Sequence, residues 1–137
     1  MNWLKRLYYR YMAGAVKNHC PLWHHGRQLR PPRNLNEAIS SIEVMVKPAD
    51  KARILQWSEA EFIAKTHHNL GRLIRSQWGL WDENSPLHKW FMLSRIWHAD
   101  DMSGIILTSY YRHIHDQPLM LKDQFDGYIE YWAKNAL

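Results

Sequence analysis

From Ser58 to Gln77 the chain carries the pattern that most constrains its fold. Phe62, Ile63, Thr66, His67, Leu70, Leu73 and Ile74 recur at helical spacing, so one face of a long helix has to be buried against other elements. Ser58 followed three residues later by Glu61 has the spacing of a capping box. Gly79 is placed to stop the helix as its C′ residue. Gly71 falls in mid-helix, where glycine costs about 1 kcal/mol relative to alanine. Its presence predicts that another helix or a large ring approaches closely there. Arg72 and Arg75 are expected to point away from the centre of the apolar stripe.

The same period governs the rest of the chain. Asn34 is expected as an N-cap with Glu37 three residues on, followed by a stripe of Leu35, Ala38, Ile39, Ile42, Met45 and Val46 that Pro48 ends. Asp50 can cap a short turn of helix that sends Ile54, Leu55 and Trp57 inward. Ser85 as N-cap and Pro86 at the first helical position open another helix. Asp100 fits a further N-cap, with Ser103 at N3 and Asp101 adding charge favourable to the helix dipole. A last amphipathic helix is expected from about Lys122 to Asn135, with Phe125, Tyr128, Ile129 and Trp132 inward. There is no period-2 alternation and no hairpin signal. These patterns predict an all-α fold, a small compact bundle of about five to seven helices.

Charge divides the chain in two. Residues 1–33 hold seven of the 18 Lys and Arg side chains and no acid; the remaining 11 bases and all 13 acids lie further along. The N-terminal part is therefore net +7 and residues 34–137 are net −2. Between Asn2 and Asn18, apolar residues lie on one helical face and Lys5, Arg6, Arg10 and Lys17 on the other. This predicts a basic amphipathic helix, joined by a Pro-containing linker to a helical domain over residues 34–137. Trp3, Leu7, Tyr8 and Tyr11 would be its apolar anchors, and Arg6 and Arg10 would meet an acidic rim on a partner. A membrane surface is a less favoured target for such a helix.

A single Cys20 can form no internal disulfide. No apolar run approaches the roughly 20 residues that span a bilayer, and the N-terminus lacks the pattern of a secretory signal. The cytoplasm is the expected compartment. His19, Cys20, His24 and His25 cluster in the linker, but one cysteine without CxxC or HxxxH spacing does not make a metal site. No metal and no cofactor is expected. The chain contains no GxSxG, P-loop, GxGxxG or HExxH motif.

An enzyme would require His67, His98, Asp100 and Asp101 to converge on one cleft. Structural roles account for these groups more simply: Asp100 as a cap, His67 in a satisfied core position, and Arg75 bridging to the 98–101 loop. Nucleic-acid binding by the basic arm is a second alternative, with phosphate contacts interleaved by aromatic rings. Against it stand the mildly acidic domain and the place of the arm's rings in its apolar stripe; against an enzyme stands the aromatic content, eight Trp and seven Tyr. Rings of this kind dominate binding hot spots, and Trp23, Trp81, Trp90 and Trp97 are candidates to face a partner.

Three motifs carry a resemblance: P-x-x-L-x-E-A at Pro32 to Ala38, H-x-x-x-G-x-x-[IL]-R-x-x-W-G-L-W at His67 to Trp81, and H-x-D-D-M-S-x-[IL]-I-L at His98 to Leu107. On these the segment from about Asn34 to Leu107 resembles an uncharacterised domain family of bacterial and phage proteins. Ser76 stands where that family often carries Asn. The resemblance implies a small helical domain and brings no activity. Its motif residues His67, Gly71, Arg75, Trp78, Gly79, Trp81, Asp100, Asp101 and Ser103 are expected to hold the fold. The chain as a whole is expected to be a protein-binding module, encoded by a phage or prophage, that acts on a host or virion protein.

Overall fold

The computed structural model describes residues 30–135, together with the backbone of Trp23–His24 and Arg27–Gln28. The anchors expected on the basic arm (Trp3, Arg6, Leu7, Tyr8, Arg10 and Tyr11) lie outside the described residues, as do the side chains of the linker histidines and Cys20. The fold is all-α. The sole strand pairing among the described residues is a two-residue antiparallel ladder, β1 (Trp23–His24) with β2 (Arg27–Gln28), in the linker. No hairpin signal in the sequence marked that ladder.

Helix α1 (Leu35–Met45) starts where Asn34 Oδ1 accepts the Glu37 amide at 2.9 Å. Glu37 reaches back past the cap: its carboxylate takes Arg30 at 3.0 and 2.8 Å and the Arg33 amide at 3.2 Å. This helix stops at Met45 with Val46 as its C-cap, two residues before Pro48 as expected, and Pro48 is also the first residue of α2 (Pro48–Gln56), a position where its missing N–H costs nothing. Ile54 of α2 is fully buried, whereas Leu55, expected inward, is 41 % exposed.

The long helix begins as α3 (Glu59–Thr66), and its capping box between Ser58 and Glu61 is complete. It is not uniform. Residues His67–Gly71 form a π-helical turn before α4 (Arg72–Gln77) resumes. Leu73 and Ile74 of the stripe stay buried across it, and Arg75, expected off the centre of the stripe, is also buried, at 7 % exposure, where it bridges to Asp100. Trp78 caps α4, and Gly79 adopts φ 70°, the left-handed C′ conformation that its position predicted. The amide of buried Leu80 then bonds the Arg75 carbonyl at 3.2 Å, closing the helix end.

Helix α5 (Pro86–Met92) is capped by Ser85, whose hydroxyl also donates to the Gly79 carbonyl at 2.7 Å. Buried His88 binds the Leu80 carbonyl through Nδ1 at 2.8 Å, a second tie between α5 and the turn before it. Helix α6 (Ala99–Ile114) is the centre of the molecule, with Met102, Ile105, Ile106 and Tyr110 fully buried among residues of α1, α3 and α4. Helix α7 (Leu121–Asn135) has no fully buried residue and packs on the core with Phe125, Tyr128 and Ile129. No helix among the described residues is long and apolar enough to cross a membrane.

Candidate binding groove

The start of α6 gathers most of the residues that the motifs single out. Its N-cap is His98, not Asp100: the imidazole Nδ1 accepts the Asp100 amide at 3.1 Å, and the helix begins at Ala99. Asp100 and Asp101 therefore sit inside the first turn, where their charge is favourable to the positive end of the helix dipole. Ser103 lies one turn beyond, fully buried, and donates to the Asp100 carbonyl at 3.0 Å. The cap was misplaced by two residues because histidine is not a favoured N-cap type, whereas aspartate is.

Arg75 joins this turn to the π-helical segment. Its Nη1 donates to Ser103 Oγ at 2.9 Å, Nη2 to the His67 carbonyl at 3.1 Å, and Nε lies 3.3 Å from Asp100 Oδ1. The guanidinium thus ties the first residue of the π turn to the start of α6. Burial pulls the guanidinium below its ordinary value and Asp100 opposes that pull. The His67 imidazole is held below its usual range by burial and by the neighbouring Arg75. Gly71 leaves the space: a Cβ there would lie 2.9 Å from Arg75 Nη1 and 3.5 Å from Leu107 Cδ1. The close approach predicted at Gly71 is thus made mainly by a guanidinium rather than by a ring.

On the outer side of the same turn stands an aromatic cluster. Trp132 of α7 stacks on His98 with centroids 5.7 Å apart and planes at 23°. Trp97 packs on Trp132 at 4.9 Å, Trp81 on His98 at 5.7 Å and Tyr131 on Trp132 at 5.2 Å. Trp132 Nε1 donates to Asp101 Oδ2 at 2.7 Å, which fixes the indole against the carboxylate. Yet the outer rings are open to solvent: Trp81 is 61 % exposed, Trp97 51 % and Tyr131 55 %. Trp90, by contrast, packs against the core.

Two cavities flank Trp132 and share Asp101 and Tyr128. One, of about 630 Å³, is bordered by His98, Asp100 and Asp123; the other, of about 440 Å³, by Met92, Arg95 and Trp97. Burial raises the Asp101 carboxyl above its ordinary value, with Asp100 adding to the shift and the Trp132 hydrogen bond and His98 offsetting part of it. Burial likewise raises the Tyr128 phenol, with Asp101 contributing. Gly104 lets α7 come this close, since a Cβ there would meet the Tyr128 hydroxyl at 2.7 Å. A larger cavity, about 940 Å³, lies at the other end of α6 beside Glu43 and His113, without a comparable ring cluster.

The structure thus brings Asp100, Asp101, Ser103, Arg75 and the His67 carbonyl together, and sets Trp81 beside them through His98. Trp78 is buried and Gly79 shapes the turn with its left-handed conformation. The four residues of the enzymatic alternative already carry other duties: His98 caps, Asp100 pairs with Arg75, Asp101 holds Trp132, and the His67 ring edge-packs on His68 at 4.7 Å. No group of three or more potential metal ligands occurs among the described residues. Trp132 and Tyr131 escaped the sequence-level site. Helical periodicity assigned Trp132 a place in the core, and nothing local tells a core ring from one lining a groove.

Residues 31–114 match the model of a family described only as a domain of unknown function, DUF6794. The chain belongs to this family. The match ends with the last residue of α6, so the family domain supplies Trp81, Trp97, His98, Asp100 and Asp101, while α7 with Tyr128, Tyr131 and Trp132 lies beyond it. No curated protein and no solved structure matches the chain.

Proposed function

We propose that this chain is a small protein-binding module and that its docking face includes the aromatic groove between α6 and α7. The observation that carries this reading is the continuous run Trp81, His98, Trp132 and Tyr131, joined by Trp97, whose outer rings are more than half exposed. Leu93, 87 % exposed, and Met92, 47 % exposed, extend the apolar surface nearby. Large aromatic groups left open to water cost free energy unless a partner covers them, and they supply contact area with little rotamer entropy to lose. The basic arm, with Trp3, Arg6, Leu7, Tyr8, Arg10 and Tyr11, belongs to the same proposal as a second contact element. A phage or prophage source, with a host or virion protein as partner and the host cytoplasm as compartment, accompanies it on the strength of the family resemblance.

Affinity capture with the full chain tests the reading. Trp81→Ala combined with Trp97→Ala should remove the captured protein while the melting temperature stays near that of the wild type, because both rings are largely solvated. Capture that survives the double substitution and is lost with Arg6→Glu and Arg10→Glu would move the docking face to the arm alone.

A further inference from the structure

We propose that the groove between α6 and α7 recognises an arginine-bearing peptide segment, whose guanidinium group lies in the cavity lined by Tyr131 and Trp132 and pairs there with Asp101 and Asp123. This rests on the protein-binding reading and names the partner's chemistry. Three features argue for it. The first is charge: the 630 Å³ cavity is bordered by Asp100, Asp101 and Asp123, and by no Lys or Arg. Asp100 is engaged by Arg75 at 3.3 Å from inside the fold, which leaves Asp101 and Asp123 to face a ligand. An anionic segment, a nucleic-acid backbone included, would be repelled there.

The second feature is the pairing of those carboxylates with indole faces. A cation within about 6 Å of a tryptophan centroid is attracted by the ring quadrupole, and a planar guanidinium can stack on the ring while its N–H groups reach carboxylate oxygens. Asp101 is held in position for that contact by its 2.7 Å bond from Trp132 Nε1. It is also costly to the folded chain, since a half-buried carboxylate beside Asp100 is disfavoured until a cation arrives. The third feature is extent. The cavities continue on both sides of Trp132, and exposed Trp81, Trp97 and Tyr131 flank them. A free amine or small polyamine would leave those rings uncovered; a peptide covers them.

The test uses the full chain and a short blocked peptide of alternating arginine and leucine, with counterparts in which every arginine is glutamine or glutamate. Binding is read by calorimetry and by tryptophan fluorescence. The arginine peptide should bind with an affinity that falls as salt rises, and the glutamine and glutamate peptides should bind at least about tenfold more weakly. Asp101→Asn with Asp123→Asn should weaken the arginine peptide about tenfold or more and leave thermal stability unchanged or higher. Equal binding of the glutamine peptide, or full affinity in the double Asn variant, would overturn the proposal. So would a wild-type chain that binds no peptide until Arg6→Glu and Arg10→Glu are introduced, since the groove would then belong to the chain's own arm. If Trp81→Ala with Trp97→Ala abolishes partner capture while the Asn variant captures normally, the protein-binding reading stands and the arginine assignment falls. If the arginine peptide binds as expected but capture is indifferent to the tryptophans, the reverse holds.

Discussion

Arg75 and Gly71 form a coupled pair at the residue scale. Removing the guanidinium in Arg75→Ala takes the donor from the buried Ser103 hydroxyl and from the part-buried His67 carbonyl, and the buried loss alone costs about 1–3 kcal/mol. Chemical denaturation should show a loss in that range or above it. Gly71→Ala alone should also destabilise, because its Cβ would fall 2.9 Å from Arg75 Nη1. In the Arg75→Ala background the same change should cost less, because the 2.9 Å contact is gone and only the Thr66 carbonyl at 3.3 Å and Leu107 Cδ1 at 3.5 Å remain against a gain in helix propensity of about 1 kcal/mol. Titration offers a second check. Glu37 is lowered from 4.5 to about 2, chiefly by its hydrogen bond from Arg30. A depressed carboxyl contributes stability that is fully present above the unfolded value and lost as pH falls toward the folded one. Stability should therefore decline between about pH 4.5 and pH 2, and Glu37→Gln should flatten that decline. Asp101 has the opposite sign. Its raised carboxyl costs stability as pH rises through its titration. Asp101→Asn keeps an oxygen to accept Trp132 Nε1, so it should melt no lower than the wild type at neutral pH. Gly71 and Arg75 were legible as residues of consequence, and the bridge from Arg75 to the 98–101 loop is the one expected of it; the depth of its burial was not legible, because it lies off the centre of the apolar stripe.

Among the elements, α7 stands apart. It buries no residue fully, it lies beyond the family match, and its approach depends on the missing side chain of Gly104. Segments with few buried apolar contacts open at lower free energy than the core. Amide hydrogen exchange should accordingly be faster over 121–135 than over 102–111, and Gly104→Ala should accelerate it further while sparing α6. Uniform protection across both helices would contradict this picture of α7. Helix existence was readable almost throughout: the Ser58 box, the Ser85–Pro86 start and the Gly79 stop each act within four residues, where sequence and structure are directly linked. The His98 cap and the two-residue ladder near Trp23 were not, since neither uses the residue types that usually make such features. The groove itself was invisible for a different reason. It arises from α6 meeting α7 some thirty positions later, Asp101 with Trp132, and no local pattern encodes that meeting.

For the whole molecule, the charge asymmetry read from the sequence acquires a location. The domain carries its excess acid partly at the groove, as Asp100, Asp101 and Asp123 beside open indoles, while the basic excess sits in residues 1–33. The motif stretch His67–Leu107 then has two roles. Its inner side, through Arg75, Ser103 and Gly71, fixes the bundle; its outer side, through Trp81, Trp97 and His98, presents a surface. The most direct measurement is a titration of the isotope-labelled full chain with the arginine–leucine peptide, monitored on the backbone amide and tryptophan indole N–H resonances. Those of Trp132, Trp97 and Trp81 should shift together and saturate, while those of buried Trp78 and the partly buried Trp57 stay in place. Shifts confined to residues around Glu43 and His113 at the other end of α6, or none among the groove tryptophans, would contradict the assignment of this groove as the binding site.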